Sequence, residues 1–143
     1  TGGKDAKVAL VGWSEGAGLS LLAAAGLNKS AFSGLICIGL SDTNILGWKW
    51  SDALTYITRQ SPKEPTFPSI AYLGQVAPLP LLMIQSARDE YVPLSVARTL
   101  YEAAREPKHL AVIEANNHRF DGNTSEFFRT LREGLEWIER KAN

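Results

Sequence analysis

The sequence predicts an α/β fold in which helices cover both faces of a mostly parallel sheet, as three α/β/α layers. Two observations support this prediction. Four short apolar runs lack polar alternation, which is typical of parallel strands buried on both faces. Helical patterns follow three of these runs, and alternation of strand and helix along a chain indicates a parallel sheet. With 143 residues, the chain has room for one domain.

The first half of the chain predicts two strands and a helix. Residues 7–12 (KVALVG) form the first apolar run, and we expect a strand there. Residues 15–25, rich in Ala and Leu, are expected to form a helix that ends near Gly26. Residues 32–40 (FSGLICIGL) form the second strand, in which Cys37 is expected to be a small buried hydrophobic residue.

The second half predicts two more strands, each followed by a helix. Residues 79–85 form the third strand, which begins at a pair of prolines. Residues 93–105 form a helix with proline in its first turn, and residues 109–114 form the fourth strand. Asn123 and Glu126 resemble a capping pair that opens the last helix. Its apolar stripe comprises Phe127, Leu131, Leu135 and Ile138.

The segment between the second and third strands, residues 41–77, is too long for a plain connection. It predicts either a small cap or an irregular excursion, with some helix around residues 51–59. Trp48 and Trp50 lie in this segment. They would line a pocket if the insert folds over a site, or belong to a small core of the cap itself.

The composition argues against several classes of protein. Equal numbers of basic and acidic residues, 15 each, give no basic excess for binding nucleic acid. No apolar run approaches the roughly 20 residues that span a bilayer. The single cysteine cannot form an internal disulfide, and with two histidines it is a poor basis for a zinc site. We therefore expect neither a metal nor an organic cofactor.

A pentapeptide with the pattern G-x-S-x-G (GWSEG) joins the first strand to the first helix. In this context the pattern predicts a nucleophile elbow, a strained turn that exposes a serine hydroxyl. We expect side chains at Gly12 or Gly16 to collide with the turn or the neighbouring strand. The alternative is that Ser14 only caps the helix, with Glu15 at the positive end of the helix dipole.

An acid and a histidine follow the last two predicted strands. Asp89 (in SARDEYVP) comes after the third strand, and His118 (in NNHRF) comes after the fourth. Ligand sites in open parallel sheets lie at the carboxyl ends of the strands, so the two side chains are expected at one edge. The other histidine, His109, begins a strand and is expected at the opposite edge, in a structural or solvated role.

These motifs together resemble the α/β-hydrolase superfamily, in which the order serine, acid, histidine recurs. The resemblance rests on GWSEG, DEYVP and NHRF and extends over nearly the whole chain. The cap and closing helix are most similar to dienelactone-hydrolase-type and related bacterial hydrolases. The resemblance implies that residues 1–143 are the C-terminal part of a hydrolase domain and lack its N-terminal strands. It also implies that an upstream segment or a partner chain pairs with the first strand.

The resemblance also implies a role for each site residue. Ser14 would be the nucleophile, His118 the base, and Asp89 the carboxylate that orients the imidazole. Asp42, at the end of the second strand, is the second choice for the acid, since some relatives place the carboxylate there. The backbone N–H of Glu15 would donate one hydrogen bond in an oxyanion hole.

Several neighbours of these residues have two interpretations. Trp13 and Tyr91 are candidates for the substrate pocket, and for Trp13 ordinary core packing is an equal alternative. Arg88 and Arg119 flank the acid and the base and could bind an anionic group, although surface arginines without such a role are commoner. Asp121 lies close to the histidine but is expected to be a turn or cap residue.

The predicted function is hydrolysis of a small-molecule carboxylic ester through an acyl-enzyme. One alternative is a peptidase or amidase of the prolyl-oligopeptidase-like branch. In that branch a second glycine usually stands at the position of Ala17, which weakens this interpretation. A second alternative is a catalytically incomplete fragment that serves only in binding or assembly.

Overall fold

The structure, a computed structural model, describes residues 6–26, 28–47 and 65–143. In chain order its elements are β1 (Val8–Trp13), α1 (Glu15–Ala25), β2 (Phe32–Ile38), β3 (Thr43–Ile45), β4 (Thr66–Pro68), α2 (Ile70–Leu73), β5 (Leu81–Ser86), α3 (Leu94–Ala103), β6 (Lys108–Ile113) and α4 (Thr124–Ala142). A turn of 3-10 helix at Lys29–Ala31 precedes β2.

The central sheet has four strands in the order β1-β2-β5-β6, and every neighbouring pair is parallel. Leu35 of β2 lies opposite Leu10 of β1 and Leu81 of β5. Parallel neighbours require crossover connections, which α1 and α3 supply on one face of the sheet. The predicted α/β class with a parallel sheet is confirmed.

Helices cover both faces of the sheet, so the three predicted layers are present. Leu35 and Cys37 face α1 and α3, whereas Ile36 and Ile38 face α4. This two-sided burial explains why β2 and β5 read as continuous apolar runs. Burial raises the pKa of the Cys37 thiol to about 12, as expected for a cysteine that serves as a core residue.

β1 is less buried than its apolar run alone indicates. β1 forms an edge of the sheet, where Val8 is 58% exposed and Val11 is 45% exposed. An apolar edge strand favours pairing with another segment. The expectation that an upstream segment or a partner chain pairs with β1 stays a prediction.

The insert contains a two-stranded antiparallel sheet formed by β3 and β4, followed by the short helix α2. Asn44 of β3 is fully buried and donates a 2.7 Å hydrogen bond to the hydroxyl of Ser69. Its side chain also occupies the position that a Cβ on Gly18 would need, so α1 and β3 are in close contact. The helix expected at 51–59, with Trp48 and Trp50, lies outside the described residues.

The last helix begins where the sequence predicts, directly after Asn123, but the expected capping bonds are absent. Asn123 precedes α4 but makes no capping bond through its side chain, which instead donates to the carbonyl of Glu114 at 3.1 Å. Glu126 pairs with Arg129 rather than with the helix start. Leu135, expected in the apolar stripe, is 39% exposed. None of the described helices is long and apolar enough to cross a bilayer.

Candidate active site

Ser14 lies in a strained turn between β1 and α1. Its backbone has φ 56° and ψ −121°, a left-handed conformation that non-glycine residues rarely adopt. Such a conformation costs about 1–3 kcal/mol and occurs mainly at functional sites. The hydroxyl of Ser14 makes no capping hydrogen bond to α1, so the alternative that it only caps the helix has no support.

The two glycines of the pentapeptide differ in what surrounds them. A Cβ on Gly12 would lie 2.2 Å from the carbonyl oxygen of Gly16 and 2.6 Å from the hydroxyl of Ser20. The expected crowding is therefore confirmed at Gly12. At Gly16 a Cβ would meet nothing within 4 Å among the described residues, so the same expectation is wrong there.

Asp89 and His118 meet at the carboxyl edge of the sheet. Asp89 lies in the loop after β5 and His118 in the loop after β6, two neighbouring strands. Oδ2 of Asp89 lies 2.6 Å from Nδ1 of His118, and the Asp89 side chain is completely buried. A bond to Nδ1 keeps the proton on that nitrogen and leaves Nε2 as the acceptor, which suits a general base.

The carboxylate of Asp89 accepts several further hydrogen bonds. Its Oδ1 accepts from the backbone N–H groups of Tyr91 at 2.8 Å and Val92 at 2.9 Å. Its Oδ2 also accepts from Nε2 of Gln85 at 3.2 Å. Burial favours the neutral acid, but the bonds from His118, Val92 and Tyr91 outweigh it and hold the pKa of Asp89 below its ordinary value.

The imidazole of His118 lies beside the turn that carries Ser14. A Cβ on Gly39 would be 2.6 Å from Cε1 of His118, so the ring rests on the backbone just past β2. The preceding residue, Ile38, accepts a 2.8 Å hydrogen bond from the backbone N–H of Ser14. Nε2 of His118 is buried and has no hydrogen-bond partner among the described residues, the hydroxyl of Ser14 included. Catalytic hydrogen bonds are often long before substrate binds.

Three further side chains touch the acid–histidine pair. Gln85 bonds to Asp89, as described above, and Glu90 accepts the backbone N–H of His118 at 2.8 Å. The half-exposed ring of Tyr91 lies edge-on to the imidazole, with centroids 5.3 Å apart. Neither Gln85 nor Glu90 was predicted from the sequence as a site residue. A polar residue at the end of an apolar strand was the available signal for Gln85, and Glu90 has none beyond its place next to Asp89.

Trp13 packs into an aromatic cluster behind the serine. Its ring centroid lies 5.7 Å from that of Phe120 and 5.0 Å from that of Phe127. The side chain nevertheless remains 41% exposed. Core packing therefore accounts for one side of the ring, and a role in a substrate pocket stays a prediction.

The two other acids considered from the sequence have local partners. Asp42 accepts a 2.8 Å hydrogen bond from the backbone N–H of Thr43, and Asp89 occupies the position at Nδ1 of His118 that Asp42 would need. Asp121 accepts from the side-chain amide of Asn117 at 2.7 Å, which agrees with the expected turn role.

His109 and Arg88 contact residues outside the acid–histidine pair. His109 is the second residue of β6, and its ring centroid lies 6.4 Å from that of Trp137. Arg88 bonds to the side chain of Asn116 at 3.1 Å and forms an exposed ion pair with Glu114. Across the described ranges, no three His, Cys, Asp or Glu side chains are grouped so that they could hold a metal ion.

Comparison with known sequences gives only short similarities. No protein-family profile matches the chain. An uncharacterized protein of Escherichia coli K12, YfhR, is 38% identical over 47 residues, which are 33% of this chain and 16% of that protein. This match is too short to characterise the whole chain.

Comparison with solved structures gives likenesses over nearly the full chain. An esterase domain from Rhodothermus marinus superposes with a TM-score of 0.68 at 18% identity, over 95% of this chain and 61% of that one. A dienelactone hydrolase from Anabaena variabilis gives 0.62 at 21% identity, over 94% and 49%. A monoacylglycerol lipase from Paleococcus ferrophilus gives 0.64 at 15% identity, over 94% and 69%.

The chain spans less than two thirds of the length of the esterase domain and about half that of the dienelactone hydrolase. The superposed part includes the parallel sheet and its helices, since it covers more than nine tenths of this chain. The chain therefore has the α/β-hydrolase fold, of which it comprises a part.

Proposed function

We propose that this protein is a serine hydrolase that cleaves small-molecule carboxylic esters through an acyl-enzyme. The observation that carries the proposal is the buried pair of Asp89 and His118, whose free Nε2 lies in the region of the strained Ser14 turn. Pairs of this kind activate a serine hydroxyl, which is a weak nucleophile at neutral pH.

In the first half of the reaction, Oγ of Ser14 attacks the ester carbonyl carbon while Nε2 of His118 takes the hydroxyl proton. The carbonyl oxygen becomes an oxyanion in a tetrahedral intermediate. The ester C–O bond then breaks, and the alcohol leaves with the proton from His118. Ser14 is left as an acyl ester, and Asp89, held ionised by its hydrogen bonds, stabilises the imidazolium that forms in between.

In the second half, water replaces the alcohol. His118 takes a proton from the water, whose oxygen attacks the acyl carbon. Collapse of the second tetrahedral intermediate breaks the bond to Oγ of Ser14, and His118 returns the proton to the serine. The carboxylic acid leaves, and no redox partner or metal ion is needed to balance either half.

The oxyanion requires hydrogen-bond donors placed in advance. The backbone N–H of Glu15 is the proposed donor, because it is the first residue of α1 and follows the nucleophile directly. One such donor contributes about 3 kcal/mol to the lowering of the barrier. The Glu15 side chain accepts the backbone N–H of Ile45 at 3.0 Å, which ties the start of α1 to β3.

Several observations favour esters over amides. The solved structures with this fold include an esterase domain and a monoacylglycerol lipase. An ester oxygen can leave as an alkoxide, whereas an amide nitrogen must be protonated before it leaves, so ester cleavage makes smaller demands on His118 as general acid. Trp13 and Tyr91 are the proposed pocket residues, since both flank the site and expose part of an aromatic ring.

A fluorophosphonate probe tests the nucleophile. Ser14 should be labelled in the wild type and unlabelled in Ser14→Ala, whereas Ser95→Ala, at an exposed position on α3, should be labelled normally. Ser14→Ala should also lower kcat for a p-nitrophenyl ester at least ~10³-fold. Labelling elsewhere, or none, would refute the proposal, and faster cleavage of an aminoacyl p-nitroanilide than of the ester would assign the protein to amides instead.

A further inference from the structure

Asp89 and Glu90, adjacent in the loop after β5, bind the side chain and the main chain of His118. Asp89 contacts Nδ1 of the imidazole, and Glu90 accepts the backbone N–H of the same histidine through Oε2 at 2.8 Å. The loop after β5 therefore holds the ring and the main chain of His118 separately. The two bonds span 29 and 28 residues along the chain, so neither follows from local turn geometry.

We propose that Glu90 is a positioning residue whose carboxylate fixes the main chain of His118. With its Cα held in place, the imidazole can move between the nucleophile and the leaving group without shifting the loop. The inference rests on the proposed function. Glu90 touches no reacting atom and acts only through the loop that carries the base.

Glu90 makes this bond from an exposed position. Solvent can reach the Glu90 carboxylate, yet it bonds to a main-chain N–H in another loop. Other bonds within the loop of His118 join Asn117 to Asp121 and to the main chain, but the described acceptor of the His118 amide is Glu90, in another loop.

Catalysis places a particular demand on His118. Its Nε2 must accept the proton of Ser14 and then deliver it to a leaving oxygen a short distance away. A misplacement of about 1 Å at such a site lowers the rate by as much as ~10²-fold. If the amide of His118 lost its acceptor, the imidazole could stay bound to the Asp89 carboxylate while the main chain at His118 shifted, and the direction of Nε2 would vary. The second bond, to the main chain, removes that freedom.

Two substitutions at Glu90 separate hydrogen bonding from charge and from bulk. Glu90→Gln keeps an oxygen acceptor of the same length without the charge, whereas Glu90→Met keeps the length and loses the acceptor. Glu106→Met is the matched control, because Oε2 of Glu106 likewise accepts a backbone N–H, that of Lys108 at 3.0 Å, but at the opposite edge of the sheet.

We expect Glu90→Met to lower kcat for the p-nitrophenyl ester ~10-fold with KM within ~2-fold, since the bond matters for the geometry of the reacting groups and not for substrate binding. Glu90→Gln should retain at least about half of kcat, and Glu106→Met should leave kcat unchanged. An equal loss in both Glu90 variants would assign the effect to charge and overturn the proposal. An unchanged kcat in Glu90→Met would overturn it as well.

Amide hydrogen exchange at His118 tests the bond without relying on activity. Its protection should fall in Glu90→Met and persist in Glu90→Gln and in Glu106→Met. Unchanged protection in Glu90→Met would overturn the inference even if the enzyme is active. If the wild type neither cleaves esters nor labels at Ser14, the proposed function fails, and the exchange result alone then shows whether Glu90 holds the loop.

Discussion

Gln85 donates a hydrogen bond to the same carboxylate oxygen of Asp89 that contacts His118. Its Nε2 lies 3.2 Å from Oδ2 of Asp89 and 2.9 Å from the carbonyl oxygen of Val92. The side chain is only 2% exposed and is the one long polar side chain in β5. Gln85 therefore holds the loop after β5 at both of these oxygens and restricts rotation of the Asp89 carboxylate.

Replacing Gln85 with Met tests how much the acid depends on this amide. Methionine has nearly the same length but no N–H, so the Val92 carbonyl and one bond to Asp89 lose their donor. We expect unfolding free energy to fall by about 1–3 kcal/mol, the cost of leaving buried polar groups unsatisfied. Under the proposed function, kcat should fall as well. Urea denaturation and ester kinetics measure the two effects.

Gln75→Met is the control for that substitution. Gln75 donates from Nε2 to the carbonyl of Ala71 at 2.8 Å, but this bond is exposed to solvent and does not involve the loop that carries Asp89. Water can replace it, so the unfolding free energy should change by less than about 0.5 kcal/mol. Equal changes in the two variants would show that burial next to Asp89 has no special importance.

The lowered pKa of Asp89 predicts how stability depends on pH. Burial works against ionisation, but the bonds from His118, Val92 and Tyr91 prevail, so the folded state binds the proton less readily than the unfolded state. The stabilisation is complete above the ordinary value of 3.8 and is lost as the pH falls from there through the lower folded pKa. The unfolded chain is protonated first, and this lowers its free energy relative to that of the folded state over that range.

Asp89→Asn isolates this effect from the other carboxylates. The difference in unfolding free energy between wild type and variant should be largest at neutral pH and should shrink as the pH falls below about 4. Urea denaturation at several pH values between neutral and about 3 measures it. A difference that stays constant, or grows towards acid, would contradict the assignment of a lowered pKa to Asp89.

The sequence was sufficient to predict the layers of the fold, because their signals are local. The apolar runs at β2 and β5 are buried on both faces, as their lack of polar alternation indicates. The apolar run at β1 does not by itself distinguish an edge strand from a central strand, because both have the same local pattern. Val8 and Val11 are exposed through the order of the strands, which no single run encodes.

The candidate site was predictable where topology alone brings residues together. Asp89 and His118 end neighbouring strands, so their contact follows from the order of the sheet. Glu90 and Gln85 act through bonds between loops or inside the core, which depend on side-chain conformation. The expected cap at Asn123 failed for the same reason, since its side chain found the carbonyl of Glu114 instead.

The two glycines of the pentapeptide should respond differently to alanine. In Gly12→Ala the new Cβ would lie 2.2 Å from the Gly16 carbonyl oxygen, so backbone must move, at a cost of about 1–3 kcal/mol. In Gly16→Ala the Cβ meets no described atom within 4 Å, and alanine is favoured over glycine in a helix by about 1 kcal/mol. Thermal unfolding of both variants should show opposite signs; a comparable loss in each would refute the difference.

Gly39→Ala should lower catalytic activity more than its loss of stability alone would explain. Gly39 has φ 59° and Gly47 has φ 79°, so alanine at either position costs about 1–2 kcal/mol of backbone strain. Only at Gly39 does a Cβ also meet His118, 2.6 Å from Cε1, whereas at Gly47 it meets no described atom within 4 Å. The imidazole must shift to make room. We therefore expect kcat to fall by up to ~10²-fold in Gly39→Ala and to stay near wild type in Gly47→Ala, at similar losses of stability. Equal kcat values in the two variants would mean that the ring does not rest on Gly39 in the active enzyme.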